Sequence, residues 1–233
     1  MLFVALGTAV LLAGLFVYVA VRHRHDANPL GDIRVSGLPS DVATPLANLM
    51  GLAPVPSRPA PDFTLTDQKG RLLSLSSFTG RAVVLEFMDP HCTDICPIVS
   101  QEFVDAYHDL GTDAGRVAFV AVNVNQYHAE VADMAAYSHD HQLDSIPSWH
   151  FFTGSTGQLR AVWQAYGVQV EAPNPNADII HTSVVYFIDP HGRMRYVAVP
   201  VDDHTPSGTA YLPNGQLAQW GRGMALVTGG LAR

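Results

Sequence analysis

Two cysteines carry the clearest chemical signal in the chain. Cys92 and Cys96 are the only cysteines among 233 residues, and they lie four positions apart, directly after the apolar run 82–87. If a helix begins near the first cysteine, residues four apart lie on one helical face, so both sulfurs can reach a shared partner. That partner is either a metal ion or the other sulfur.

The context of the two cysteines favours chemistry over a structural role. Thiolates are soft donors that bind Cu(I), zinc and iron–sulfur clusters, and a helix N-terminus lowers the pKa of a nearby thiol. The alternative to a working site is a structural disulfide or a pair of buried, unreactive cysteines. The intervening segment 93–95 is largely polar, with a strand predicted before it and a helix after it. This setting indicates a working dithiol or metal site.

Length and charge limit the classes of function. The chain has 13 basic and 21 acidic residues, a formal net charge of −8, and no basic run beyond residues 22–25. Nucleic acid is therefore not expected as a partner. The length suits one folded domain with appendages. The eleven histidines are scattered and do not form a metal site as a group, and the oligomeric state cannot be inferred from the sequence.

The first 21 residues predict a membrane anchor. Segment 1–21 contains no charge, and about 20 apolar residues can cross a bilayer as a helix. A cleaved signal peptide would have a basic start, a shorter apolar core and a small-x-small cleavage site, and a buried core helix would not be apolar all round. We predict a retained transmembrane helix. Arg22 and Arg24 follow it, and the positive-inside tendency would then keep the rest of the chain in the cytoplasm.

The remaining chain divides into three predicted parts. Segment 22–58 is rich in Pro, Gly, Ser and Asp and predicts a linker. A domain is predicted over 59–200. A C-terminal extension over 201–233 has no predicted function and allows a short helix near 217–227.

Within 59–200 the hydrophobic pattern predicts an α/β domain. The expected elements are a hairpin over 63–75, a buried central strand over 117–124, a short strand over 149–152, helices over 97–111, 129–139 and 157–166, and a closing hairpin over 182–196. Helices that alternate with strands and precede a terminal hairpin indicate an α/β sandwich around a mixed sheet.

Three motifs resemble those of one protein family. They are Pro61-Asp62-Phe63-Thr64-Leu65, His91-Cys92-Thr93-Asp94-Ile95-Cys96-Pro97, and His181-Thr182-Ser183 leading into residues 186–192. Over roughly 59–199 the chain resembles the Sco/SenC family of membrane-anchored copper chaperones for cytochrome c oxidase assembly. The resemblance implies a thioredoxin-like fold with a mixed central sheet flanked by helices and an N-terminal hairpin.

The resemblance also implies a ligand set and a partner. Cys92, Cys96 and His181 would bind one copper ion, since two thiolates and one imidazole suit Cu(I) and an additional ligand would accommodate Cu(II). His181 stands where thioredoxin-like reductases usually carry a cis-proline. The expected partner is a copper-accepting oxidase subunit with a dinuclear copper site. The expected location of the domain is extracytoplasmic, against the charge signal of Arg22 and Arg24.

Two departures from the family pattern concern the surroundings of this site. Ile180 stands where the resemblance leads us to expect an aspartate before the ligand histidine, and such carboxylates orient ligand imidazoles. Segment 123–128 replaces the Asp-Pro-x-x-Asp-Thr stretch that is frequent in the family. Copper affinity and partner recognition are therefore expected to differ from the family pattern.

An enzymatic function is the alternative, so whether the chain is an enzyme stays open at this point. In a thiol–disulfide oxidoreductase, Cys92 would attack a partner disulfide and Cys96 would resolve the mixed disulfide. Copper binding needs His181, whereas simple disulfide exchange should tolerate His181→Ala. Peroxide reduction at Cys92 is disfavoured because no arrangement of Arg and Thr surrounds the cysteine to polarise a peroxide. His91 either modulates the pKa of the cysteines or has no special role.

Overall fold

The computed structural model describes residues 37–213 and 215–233. The predicted anchor over 1–21 and the first part of the predicted linker lie outside these residues. Among the helices that are described, none is long and apolar enough to cross a membrane.

An eight-stranded mixed sheet forms the centre of the fold. Its strand order is β1-β10-β9-β4-β5-β6-β2-β3, with β4, β5 and β6 parallel to one another and the other pairings antiparallel. Two further strand pairs, β7 with β8 and β11 with β12, lie outside this sheet. The strands are β1 (Ala53–Pro59), β2 (Thr64–Asp67), β3 (Leu72–Ser74), β4 (Ala82–Met88), β5 (Val117–Asn123), β6 (Trp149–Thr153), β7 (Val170–Glu171), β8 (Ile180–His181), β9 (Val185–Ile188), β10 (Arg193–Ala198), β11 (Asp203–His204) and β12 (Ala210–Tyr211).

Helices cover both faces of the sheet. The helices are α1 (Thr44–Leu49), α2 (Ile95–Leu110), α3 (Val131–Asp140), α4 (Thr156–Tyr166) and α5 (Gln216–Ala232). Residues of α1, α2, α3 and α5 share one core cluster with one face of the sheet. Residues of α4 and of the 3₁₀ turn Leu75–Phe78 share a second cluster with the opposite face. The sheet therefore has a hydrophobic core on each side.

The two central strands explain why the sheet lies in the middle of three layers. All seven residues of β4 and all seven of β5 are buried, and a continuous apolar run is the pattern of a strand covered on both faces. The predictions of a mixed sheet flanked by helices, an N-terminal hairpin (β2 with β3) and a closing hairpin (β9 with β10) are confirmed.

Both ends of the domain depart from the sequence prediction. The predicted linker 22–58 contains α1 and most of β1, and β1 pairs with β10 from Ala53 to Pro59. Proline is tolerated on an edge strand because its missing N–H is not needed there, so a Pro-rich segment was mistaken for a linker. At the other end, the segment 201–233 contributes α5, which is longer than the short helix predicted near 217–227 and packs on α2.

Close packing of α5 against α2 depends on a glycine. A Cβ atom added to Gly221 would lie 2.5 Å from Cβ of Asp105 and 3.2 Å from the carbonyl oxygen of Glu102. Neighbouring Trp220 is fully buried. The absence of a side chain at Gly221 therefore lets the two helices approach each other closely.

Substitution of Gly221 should destabilise the fold. We expect Gly221→Ala to lower the free energy of unfolding by about 1–3 kcal/mol, because overpacking forces backbone shifts. The measurement is urea unfolding. Gly157→Ala in α4 is the matched control, since no atom lies within 4 Å of its added Cβ, and alanine there is expected to be neutral or stabilising by up to about 1 kcal/mol. Equal effects of the two substitutions would contradict the packing argument.

Candidate metal centre

The two cysteines lie where the central strand β4 passes into α2. Strand β4 ends at Met88 and α2 begins at Ile95, so Cys92 lies in the connecting loop and Cys96 is the second residue of the helix. Cys92 is half-buried and Cys96 is buried, and both are free thiols. The two residues therefore do not share a helical face as the sequence suggested.

The loop nevertheless brings the sulfurs together. The backbone N–H of Cys96 donates a hydrogen bond to Sγ of Cys92 at 3.4 Å. Helix α2 tolerates Pro97 as its third residue because the first-turn N–H groups lack intrahelical partners. The geometry thus places a dithiol at the N-terminus of α2.

The two thiols differ in acidity. The hydrogen bond from the Cys96 thiol, followed by backbone N–H bonds from Cys96 and Asp94, lowers the pKa of Cys92 to about 7, against the opposing effect of burial. The same thiol–thiol hydrogen bond and the burial of Cys96 raise the pKa of Cys96 well above its ordinary value. Near neutral pH, Cys92 is therefore the more readily ionised thiol of the pair.

This asymmetry predicts selective alkylation. We expect iodoacetamide to modify Cys92 with a rate that is half-maximal near pH 7, while Cys96 stays unmodified in the folded chain, because the thiolate is the nucleophile. In Cys96→Ala the midpoint for Cys92 should move to higher pH, since the donor thiol is lost. Mass spectrometry of peptides from timed reactions measures both rates. A faster reaction at Cys96 would contradict the assignment.

His181 is the last residue of β8, on the two-stranded ribbon outside the main sheet. Burial lowers the pKa of its imidazole, with the Thr182 carbonyl and the charge of Asp89 opposing the shift. Nδ1 lies 3.0 Å from the carbonyl oxygen of Thr182, which can only accept a hydrogen bond. The proton of the neutral ring therefore sits on Nδ1, and Nε2 keeps the lone pair that a metal needs.

The ligand atoms of Cys92, Cys96 and His181 do not all lie within 4.8 Å of one another. Within the described part of the chain, two groups of at least three metal-ligating side chains have all their ligand atoms within 4.8 Å of one another. These groups are His91 with His128 and Asp133, and Asp94 with Asp202 and His204. The predicted set of Cys92, Cys96 and His181 is not among them.

Asp89 is a buried carboxylate that the dithiol and His181 share as a neighbour. The negative charge of Asp89 raises the pKa of Cys92 and the pKa of His181, in each case against a larger effect that lowers it. Its Oδ1 accepts hydrogen bonds from the backbone N–H of His91 at 2.9 Å and from Nδ2 of Asn125 at 3.0 Å. Sequence reasoning missed Asp89, although an Asp-Pro pair directly after a buried strand marks it.

Two buried glutamates lie on the strand and the helix that flank the dithiol loop. Oε1 of Glu86 on β4 accepts a hydrogen bond from Ser183 at 3.4 Å. Oε2 of Glu86, both carboxyl oxygens of Glu102 on α2 and Nε1 of Trp220 have no hydrogen-bond partner among the described residues. Burial raises the pKa of Glu86 to about 8, and burial together with the charge of Glu86 raises that of Glu102 well above its ordinary value. A single acidic residue inside the apolar run 82–88 was the available sequence signal.

Fold and site together define a thioredoxin-like protein with a Cys-x-x-x-Cys dithiol at a helix N-terminus. A family model described as SCO1/SenC matches residues 54–207, more than half of the chain. The chain belongs to the SCO1/SenC family, as the sequence motifs indicated.

Individual relatives agree with this assignment. The chain is 31% identical over 137 residues to the bovine (Bos taurus) mitochondrial protein SCO2 homolog, an alignment that covers 56% of this chain and 50% of that protein. The chain thus spans about half the length of that relative. A structure of ScoI from Bradyrhizobium japonicum with copper bound is 26% identical, with a TM-score of 0.53 over 59% of this chain and 87% of that one. BsSco, a member of the Sco family of cytochrome c oxidase assembly proteins in which a disulfide switch was identified, has the same fold at 22% identity, with a TM-score of 0.52 over 62% of this chain and 84% of its own.

Proposed function

We propose that this chain binds one copper ion through Cys92, Cys96 and His181 and delivers it to the dinuclear copper site of cytochrome c oxidase. The observation that carries the proposal is the hydrogen bond from the backbone N–H of Cys96 to Sγ of Cys92, which holds the two cysteines side by side at the N-terminus of α2. Copper is present in the related ScoI structure, and family membership supports a role in oxidase assembly.

The donor set suits Cu(I) as cargo. Thiolates are soft ligands that select Cu(I), and a neutral imidazole adds a third donor. Cys92 is already the more acidic thiol and Nε2 of His181 is unprotonated in the folded chain. Cys96 must lose its proton when it ligates, so copper binding releases a proton and should weaken as the pH falls. An additional ligand would be needed for Cu(II).

Binding requires the ligand atoms of Cys92, Cys96 and His181 to draw closer together, since they do not all lie within 4.8 Å of one another. His181 lies on the ribbon formed by β7 and β8. Two hydrogen bonds join the residues that flank these strands: the N–H of Thr182 donates to the Gln169 carbonyl at 3.0 Å, and the N–H of Gln169 donates to Oγ1 of Thr182 at 3.1 Å. Because the ribbon lies outside the eight-stranded sheet, it can shift without breaking sheet hydrogen bonds. A histidine that joins and leaves the site in this way suits transfer of copper by ligand exchange.

The location of the domain follows from the predicted anchor. We propose that residues 1–21 hold the chain in a membrane, with the folded domain on the extracytoplasmic side, where it would meet a copper-accepting oxidase subunit. The apolar, uncharged character of 1–21 supports this arrangement.

A titration with Cu(I) tests the proposal. We expect the reduced chain to bind one Cu(I) tightly under anaerobic conditions, read by competition with a chromogenic chelator. His181→Ala should weaken binding at least tenfold, since loss of even an outer-sphere partner of a ligand costs about 10–100-fold. His191→Ala, in the turn between β9 and β10, is the matched control and should bind as the wild type does. An affinity that does not depend on His181 would contradict the proposal.

Thiol–disulfide exchange is the second candidate, favoured by the accessible Cys92 thiolate next to the buried Cys96 thiol. The Cys92 thiolate would attack a partner disulfide, forming a mixed disulfide and releasing one partner thiolate. Cys96, once deprotonated, would attack the sulfur of Cys92, forming the intramolecular disulfide and releasing the second partner thiol. Reduction of a model disulfide that is unaffected by His181→Ala, together with weak Cu(I) binding, would favour this function.

A further inference from the structure

A second group of metal-ligating side chains flanks the dithiol loop. His91, His128 and Asp133 each offer one ligand atom, and these atoms all lie within 4.8 Å of one another. The imidazole rings of His91 and His128 stack with their centroids 3.7 Å apart. Nε2 of His91 lies 3.9 Å from Oδ1 of Asp133. The group contains nitrogen and oxygen donors only, in contrast to the dithiol.

One buried amide holds the backbone of the two loops that carry the histidines. The Asn125 side chain donates from Nδ2 to Asp89, which in turn accepts from the backbone N–H of His91. The Oδ1 atom of Asn125 accepts from the backbone N–H of His128 at 3.3 Å. Asn125 is 4% exposed. It therefore fixes the two loops that carry the histidines relative to each other.

The Asp133 carboxylate is held by a hydrogen bond to one of its two oxygens, and the other oxygen faces His91. Asp133 is the third residue of α3, and its Oδ2 accepts the backbone N–H of Glu130 at 3.2 Å in a capping box. Its Oδ1 points toward His91 at a distance that is too long for a good hydrogen bond. That oxygen is a charged acceptor directed at the imidazole pair.

An ion pair between His91 and Asp133 is a weaker account of this arrangement. The His91 side chain is 50% exposed and the contact is at the outer limit of ion-pair distance, and exposed pairs contribute little stability. An imidazolium at both stacked positions would add repulsion between like charges. A bound cation would satisfy both imidazoles and the carboxylate together.

We propose that His91, His128 and Asp133 form a second metal site, for a divalent ion that accepts nitrogen and oxygen ligands, Zn²⁺ or Cu²⁺. Metal–ligand distances of about 2.0–2.2 Å place tetrahedral donors roughly 3–3.5 Å apart, so the three donors must close by about 1 Å. Their partly exposed side chains allow this movement. One coordination position would stay open for water or an incoming ligand. The site stands independently of the copper proposal, because it uses neither sulfur nor His181.

Isothermal titration with Zn²⁺, and separately with Cu²⁺, tests the site. The full chain without a purification tag is used, with Cys92→Ser and Cys96→Ser so that thiolates do not bind the probe. We expect one ion to bind more tightly than any background from other histidines. His128→Ala and Asp133→Asn should each weaken this binding at least tenfold, and the Cu²⁺ electron paramagnetic resonance spectrum should lose one nitrogen coupling in His128→Ala.

His139→Ala is the matched control, because His139 is an exposed α3 histidine paired with Asp144. It should leave the affinity unchanged. His204→Ala tests the other group, in which Nε2 of His204 lies 2.8 Å from Oδ1 of Asp94. Equal affinities in His128→Ala and His139→Ala, or loss of binding only in His204→Ala, would overturn the assignment. Thermal unfolding curves like that of the double serine variant show that each variant is folded.

Discussion

A chain in which both cysteines are replaced by alanine should lose Cu(I) binding by more than about a hundredfold, the largest effect expected of any site substitution. The reason is that the thiolates supply the soft donors that select Cu(I), and His181 alone is one imidazole on a separate strand pair. Loss of these donors should exceed the cost of about 10–100-fold for an outer-sphere partner. Competition with a chromogenic chelator at pH 7 measures it.

The single variants make this prediction sharper. In Cys92→Ala the interaction with Cys92 is lost, but burial still raises the pKa of the remaining Cys96 thiol, so it is a poor ligand at neutral pH. In Cys96→Ala the Cys92 sulfur stays accessible but loses the hydrogen bond that lowers its pKa. Both should lose most of the affinity, and Cys92→Ala more of it at pH 7. A double variant that still binds one Cu(I) tightly would show that copper lies elsewhere.

The buried glutamates should make the fold less stable at alkaline pH. Burial raises the folded-state pKa of Glu86 from 4.5 to about 8, so the folded chain retains a proton that the unfolded chain releases. The stability linked to that proton is fully present below pH 4.5 and is lost as the pH rises through 8. At 1.36 kcal/mol per pKa unit, this amounts to roughly 5 kcal/mol. The pKa of Glu102 is also raised, mainly by burial, so this carboxyl group likewise makes the fold less stable at alkaline pH.

Removal of these carboxyl groups should flatten the pH dependence. We expect the wild type to lose free energy of unfolding between pH 5 and pH 9, Glu86→Gln to lose less, and the variant with both glutamates changed to glutamine to lose least. Urea unfolding across this range measures the slope. Glu171→Gln, at an exposed position on β7, is the control and should follow the wild type. Parallel curves for all four proteins would contradict the burial argument.

The centre of the fold could be predicted from the sequence, and its edges could not. Continuous apolar runs identify β4 and β5 as central strands because such runs occur where both faces are covered. Strand β1 contains three prolines and α5 contains four glycines, and both residue types normally interrupt regular structure. These elements form because β10 accepts an edge strand and because Gly221 lets α5 approach α2. Such tertiary contacts are not visible in local patterns.

Prediction of the site was limited in the same way. The spacing of the cysteines and their position after β4 were sufficient to find the dithiol. The difference in acidity between Cys92 and Cys96 depends on which thiol is buried, and this is decided by the packing of α2. His128 and Asp133 approach the loop from other elements, so no local motif identifies them. The assignment of His181 as a ligand stays a prediction that rests on its motif.

X-ray absorption at the copper edge of the chain loaded with one Cu(I) tests the central claim most directly. We predict two sulfur neighbours and one nitrogen neighbour for the wild type, with the nitrogen contribution lost or replaced in His181→Ala and retained in His191→Ala. A copper ion surrounded only by nitrogen and oxygen in the wild type, or a spectrum that does not change when His181 is removed, would contradict the site formed by Cys92, Cys96 and His181.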